Sequence, residues 1–274
     1  MRKKMFQILL AVALIAPLAA CKTVRTTQGG AVGVDRQQTM SALVSAKQLE
    51  QGAQTAYKQE LSKANQKGVL NKDTAQTARV RAIAQRLIPH TAAFRADAPG
   101  WKWEVNVLTS ADVNAWCMPG GKIAVYTGLI QKLNVTDDEL AAVMGHEIAH
   151  ALREHSRERA SQQMGAGLLA TVAGVALGGG QGTMDMANVV AQLTYSLPNS
   201  RLHETEADRI GVELAARAGY DPRAAVTLWQ KMKQAGGGGP PQFLSSHPSS
   251  DTRIADLEDY SRRVSPLYQA ARKR

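Results

Sequence analysis

The sequence predicts an α+β fold, mainly helical, with a small β-sheet beside one central helix. Three observations carry this. Apolar residues recur at helical spacing in two proline-free stretches: Val80, Ile83, Ala84, Leu87 and Ile88, then Leu140, Val143, Met144, Ile148 and Leu152. Trp101–Val107 alternates with period two instead, and two short strands flank the turn signal Pro119-Gly120-Gly121. Thr136-Asp137-Asp138-Glu139 has the form of a capping box, with Thr136 as N-cap and Glu139 three residues on, so the central helix has a defined start.

The elements follow in order. Met1 to Leu18 joins a basic start, Arg2-Lys3-Lys4, to an apolar run too short for a comfortable membrane span, and small residues follow. Residues 1–20 are therefore expected to be a secretory signal. Leu18-Ala19-Ala20-Cys21 has the form of a bacterial lipobox, which would make Cys21 a lipidated N-terminus, with an ordinary signal peptide as the alternative. Lys22 at the next position resembles an outer-membrane address. Residues 21–39 lack periodicity and are expected to be a tether. Residues 40–270 then form the folded domain.

Helices are expected over about 40–67 and 74–88, the second ended by Pro89. Strands are expected over Trp101–Val107, Asn114–Met118 and Lys122–Tyr126, with Pro119-Gly120-Gly121 as the turn between the last two. The Lys122–Tyr126 strand is either purely structural or an edge able to pair with an extended peptide. A short helix over 128–133 leads to the central helix, expected to run on to about Gln163 with Arg153–Arg159 as a solvated face. Met164–Gly182 is apolar, glycine-rich and uncharged. It is expected to be a buried or partly mobile segment near a cleft, or one that dips into a membrane. A further helix begins near Arg201, with Gly219 as its C-cap candidate. Asp221-Pro222 opens the next helix as N-cap and N1. Gly236–Pro241 is a loop, and a final helix covers about 250–264.

Composition narrows the partners. The formal charge is +10, but Arg2, Lys3 and Lys4 belong to the expected signal, and the remaining basic residues are scattered. A solvated surface is the expected meaning, with no nucleic-acid binding. With Cys21 lipidated, Cys117 is the one remaining cysteine and is expected to be a buried small hydrophobe. A disulfide to a partner or an extra metal ligand is the alternative.

The chemistry centres on Gly145-His146-Glu147-Ile148-Ala149-His150. Residues four apart on a helix share a face, about 6 Å apart along its axis, so both imidazoles can reach one metal ion. Glu147 beside them can act as general base on a water there, the H-E-x-x-H arrangement of zinc peptidases. Two histidines and a glutamate can also meet on a helix by chance, but buried histidines are costly unless paired or ligated.

A hydrolytic zinc needs three protein ligands and an open position. A third histidine six residues after the second is excluded, because Ser156 stands there, and Arg153 stands where its accompanying glycine would be. Glu204 is the candidate third ligand. Asp208, four residues on, shares its face and can accept a hydrogen bond from a ligating imidazole. Glu206 points about 200° away from Glu204 and cannot serve the same metal. His155, about 140° round the helix from His150, and His203 are expected not to be ligands.

These residues, with Ser200-Arg201, the Asn114–Leu129 hairpin region and His247-Pro248, resemble the HtpX/Oma-type zinc metallopeptidase family over roughly residues 75–260. The chain is most similar to its single-domain periplasmic lipoprotein (LoiP-like) members. The resemblance implies a zincin-type fold, one Zn2+ on His146, His150 and Glu204, and Glu147 as base. It also places His247 near the metal, where in some members it is a fourth ligand that keeps the enzyme latent. His247 is otherwise the candidate oxyanion donor, with Arg201 or Tyr195 behind it.

The expected activity is that of a zinc endopeptidase degrading misfolded or unassembled envelope proteins. It would act in the periplasm, anchored to the outer membrane through Cys21. The rival is a zinc-containing lipoprotein acting as a chaperone or assembly factor for outer-membrane proteins.

Overall fold

The computed structural model describes residues 21–163, 182–235, 241–248 and 250–273. The expected signal (1–20), residues 164–181 of the apolar segment and residues 236–240 of the glycine loop lie outside the described residues.

The fold is mainly helical around a three-stranded sheet. A hairpin, β1 (Cys21–Val24) and β2 (Gln38–Ser41), comes first. Helices α1 (Ala46–Gln66) and α2 (Thr74–Leu87) follow. The sheet is β3 (Glu104–Leu108), β4 (Ala115–Met118) and β5 (Lys122–Tyr126). Then come α3 (Thr127–Lys132), α4 (Asp137–Leu152), α5 (His155–Gln163), α6 (Gly182–Ala191), α7 (Arg201–Arg217), α8 (Ala224–Gln234), α9 (Gln242–Ser246) and α10 (Asp251–Ala271). None of the described helices is long and apolar enough to cross a membrane.

In the sheet β5 is central, parallel to β3 and antiparallel to β4. Of the two alternatives for Lys122–Tyr126, the edge is excluded and the structural strand stands: both its sides are paired, so it cannot accept a peptide strand. The turn between β4 and β5 places Gly120 and Gly121 both at φ 78°, a conformation that glycine alone adopts without strain. Alternation divides the sheet's two faces between two cores. Val107, Ala115, Cys117, Ile123 and Val125 join the main core with α2 and α4, while Leu108, Trp116, Met118 and Ala124 pack under α1 and α6.

Three boundaries differ from expectation. The stretch 21–39 is docked on the domain instead of forming a tether. Val32 and Val34 enter the main core, Gln28 donates to the Phe94 carbonyl at 2.7 Å, and the Val32 amide donates to Glu213 Oε2 at 2.9 Å. Apolar burial and paired backbone groups outweigh the absence of periodicity. Met40 consequently lies in β2, and α1 starts later than expected, capped by Ser45 with Gln48 completing a capping box. Asp221 is not the cap of α8: its amide is held by Asp138 Oδ1 at 2.9 Å, and the helix starts at Ala224. The last helix runs past its expected end, with Pro266 inside it.

The fourth difference bears on function. The helix expected to continue to Gln163 breaks after Leu152, because Glu154 takes φ 51°. The charged stretch beyond is buried, not solvated: Arg153, His155, Glu158 and Arg159 are almost fully enclosed.

The α4–α7 contact positions the site. A Cβ on Gly211 would stand 2.7 Å from the His146 backbone nitrogen, and one on Gly145 would stand 2.8 Å from the Gly211 carbonyl oxygen. Only two glycines facing each other let the helices approach this closely. That approach carries the Glu204–Asp208 face of α7 against the histidine face of α4.

Candidate metal centre

α4 is fixed at its start by the expected cap. The Glu139 amide donates to Thr136 Oγ1, and Glu139 Oε2 accepts from the Thr136 amide at 2.8 Å. Two turns later His146 and His150 point to one side, their Nε2 atoms 3.1 Å apart. Ser200 caps α7 and starts it so that Glu204 faces them. Glu204 Oε1 lies 3.4 Å from His150 Nε2 and Oε2 lies 3.5 Å from His146 Nε2. His247, just after α9, closes the group, with Nδ1 3.2 Å from His146 Nε2 and 3.0 Å from Glu204 Oε1. Phe243 stacks on the His247 ring at 4.3 Å. All four residues are buried, with one donor atom of each within 4.8 Å of the others.

Glu147 lies beside this group. Its Oε1 is buried without a hydrogen bond, and His247 Nε2 stands 3.4 Å away. A buried carboxylate oxygen lacking a partner is costly and points to a small polar guest. Imidazole nitrogens with one carboxylate, enclosed in apolar packing, suit zinc. The residues present therefore fit the metal that the motif implies.

The electrostatics separate the roles. Burial pushes the Glu147 carboxyl up. Burial also acts on Glu204, but the charge of His247 and hydrogen bonds from His146, His150 and His247 hold it well below the usual carboxylate range. Glu204 is thus the more acidic carboxylate and Glu147 the more basic one. Burial drives His150 well below the ordinary imidazole value. His146 is equally buried, yet hydrogen bonds to Asp208 and Glu204 pull it up to about 9.

Asp208 lies where the sequence places it, accepting from His146 Nδ1 at 2.9 Å. Sequence reasoning missed the group behind it. Arg253 of α10 donates to both Asp208 oxygens at 2.7 and 2.8 Å and lies 2.8 Å from Glu204 Oε2. No local signal marks Arg253, since an arginine in the first turn of an amphipathic helix reads as surface.

His155 was also misplaced by assuming a continuous helix. The break at Glu154 returns its Nδ1 to 2.8 Å from His150 Nδ1, on the side of that ring away from Glu204. His203 is turned from the cluster, its ring stacked on His155 at 4.3 Å. Glu206 faces Arg153 and His155. Tyr195 packs half-buried against Trp116, and Arg201 is exposed at the start of α7. Cys117 is buried in β4, as a small hydrophobe would be, and is not among the clustered donors. Cys21 is exposed in β1. A cleft lined by Leu49, Trp101, Pro119, Ala151 and Arg157 opens on His150.

A small sheet beside a helix bearing H-E-x-x-H, with a carboxylate delivered by a later helix, defines a metallopeptidase of zincin type. Residues 74–261 match the model of Peptidase family M48, and the chain belongs to that family. It is 41% identical over 155 residues to the mitochondrial metalloendopeptidase OMA1 of Arabidopsis thaliana, covering 56% of this chain and 30% of that protein. To the human metalloendopeptidase OMA1 it is 32% identical over 200 residues, covering 68% and 38%. To the β-barrel assembly-enhancing protease of Escherichia coli it is 26% identical over 208 residues, covering 71% and 41%. The chain thus spans less than half the length of these relatives.

Proposed function

We propose that the chain is a zinc-dependent endopeptidase of the bacterial cell envelope, cleaving misfolded or unassembled envelope proteins. The observation that carries this is the convergence of His146, His150 and Glu204 beside Glu147, whose buried oxygen lacks a hydrogen bond. In this reading His146, His150 and Glu204 hold the zinc ion. A zinc ion so held polarises the scissile carbonyl and lowers the pKa of water. Glu147, made more basic by burial, takes the water's proton and passes it to the leaving amine. Asp208 holds His146 in the tautomer that leaves Nε2 free as a ligand. His247 covers the cluster beside Glu147 and swings clear for a peptide to enter. Alternatively its ring stays beside Glu147, where it can donate to the oxyanion. The cleft beside His150 receives the polypeptide.

The envelope assignment is supported by the signal and lipobox pattern before Cys21 and by that residue's exposure. A relative named for enhancing β-barrel assembly adds to it. In this reading a lipid on Cys21 anchors the domain to the periplasmic face of the outer membrane.

The test is casein digestion by the purified chain. Cleavage should stop on chelation and return with zinc. Glu147→Gln should retain zinc and lose activity by about 10²–10⁴-fold. Undiminished cleavage by that variant would reject the assigned base. Casein held without cleavage, whether or not zinc is present, would favour the chaperone alternative.

A further inference from the structure

Among the described residues, a buried charged cluster behind His150 is not used by the proposed reaction. His155, Glu158 and His203 bring donor atoms within 4.8 Å of one another, a spacing that invites a second metal. The charges argue otherwise. Arg36 reaches both Glu158 oxygens at 2.7 and 2.9 Å and Glu206 Oε1 at 2.6 Å. Arg153 donates to Glu206 through Nε and Nη2 at 3.1 and 2.9 Å. Two guanidiniums already balance the two carboxylates, and a further cation would be repelled.

The geometry instead assigns His155 and Glu206 as positioning residues that fix the tautomer of His150 through a directed chain of hydrogen bonds. This rests on the proposed reading that His146, His150 and Glu204 hold zinc. His150 turns Nε2 toward Glu204 and His146, so that nitrogen must carry a bare lone pair to bind a metal. Its proton then sits on Nδ1, which faces His155 Nδ1 at 2.8 Å. One atom of that pair must accept, so His155 Nδ1 is unprotonated and its proton lies on Nε2. That nitrogen donates to Glu206 Oε2 at 3.0 Å. Each link has one donor and one acceptor, and the chain ends on a carboxylate anchored by two arginines. His203 stacks on one face of His155 and donates Nε2–H to Glu158 Oε2 at 3.1 Å, blocking rotation of the His155 ring.

The backbone adds an independent sign. Glu154 occupies the left-handed region at φ 51°, where a non-glycine residue is strained. That single residue breaks the helix and returns His155 to His150. An unbroken helix would carry it about 140° away.

The test uses the full chain loaded with zinc and histidine labelled with ¹⁵N. The expected NMR pattern is His155 protonated on Nε2 alone and His150 protonated on Nδ1; a His155 proton on Nδ1 overturns the assignment. In parallel, zinc affinity is measured by chelator competition. His155→Leu and Glu206→Gln should each weaken zinc by about 10–100-fold. His155→Gln, whose amide can accept from His150 and donate to Glu206, should recover much of the loss. An affinity within about twofold of the parent for His155→Leu, or a His155→Gln no better than His155→Leu, sinks the proposal. His150→Ala is the control. If zinc affinity survives that change, the ligand reading itself has failed, and the two failures are thereby told apart.

Discussion

The two histidines of α4 sit one turn apart, both buried and both turned to the same carboxylate, yet the protein holds them differently. His146 is held directly: its Nδ1 meets Asp208, and Arg253 grips that carboxylate. His150 is held at one remove, with His155 between its Nδ1 and the Glu206–Arg153 pair. Each arm ends in a carboxylate and an arginine, so both rings face the same kind of electrostatic anchor. The difference is length, and it follows from the backbone. Asp208 lies one turn from Glu204 on a helix packed at glycine distance, close enough to touch His146. Glu206 lies on another face of that helix and reaches His150 only through a third side chain. The pKa directions follow this: contact with Asp208 helps lift His146 to about 9, while burial alone dominates His150.

The largest expected effect comes from breaking the base shared by both arms. Gly211→Ala puts a methyl group against the α4 backbone and should force α4 and α7 apart, costing about 1–3 kcal/mol by overpacking. Thermal unfolding should show the loss, and the stabilisation that added zinc gives the parent should shrink with it. Next comes the direct arm. Asp208→Asn keeps an acceptor for His146 but removes the charge that Arg253 grips, and should weaken zinc by about 10–100-fold in a chelator competition. It should cost at least as much as His155→Gln, because its contact with a ligand is unmediated. A smaller loss of zinc affinity for Asp208→Asn than for His155→Gln would contradict the ordering of the two arms.

Glu154→Gly sharpens the comparison from the other side. Glycine adopts the left-handed conformation freely, so the break should persist and zinc affinity should stay within about twofold of the parent. A larger loss would show that the Glu154 contacts with Arg95 and Arg157 support His150, rather than the break alone.

Glu139 lies outside both arms and should show the smallest effect on zinc. Burial opposes its ionisation, but Lys231, the Thr136 amide and Thr227 hold it below its ordinary value of 4.5. A depressed carboxylate contributes stability that is present above about pH 4.5 and is lost as the pH falls through its folded value. Glu139→Gln should therefore flatten the acid side of a stability–pH curve while leaving zinc affinity unchanged.

The direct arm was legible in the sequence as far as Asp208, though not to Arg253 behind it, and the longer arm was not legible. His146, Glu147 and His150 declare themselves by spacing, and Glu204 and Asp208 by sharing a helix face. Those inferences need only 3.6 residues per turn. His155 fell outside them because the same periodicity was carried across Glu154, where nothing in the residue type announces a left-handed backbone. Arg153, Glu158 and Arg159 read as a solvated face because charge is normally solvated. They are buried because distant parts of the chain meet them: Arg36 and Gln38 meet Glu158, Glu206 meets Arg153, and Asn199 with the Leu193 and Leu197 carbonyls meets Arg159. For the same reason residues 21–39 passed for a tether, although Arg36 and Gln38 complete that buried network.

By itself the sequence determined what is set locally: the capping box at Thr136, the alternation of Trp101–Val107, the two motif faces on α4 and α7, and the glycine turn before β5. Only the tertiary structure decided what depends on meetings between distant residues. It made β5 a central strand, brought Gly145 against Gly211, placed Arg253 behind Asp208 and turned His155 back to His150. The reason is physical. Local geometry follows from backbone sterics acting over a few residues, whereas burying a charge is tolerable only where a partner is brought to it, and that partner is supplied by the fold.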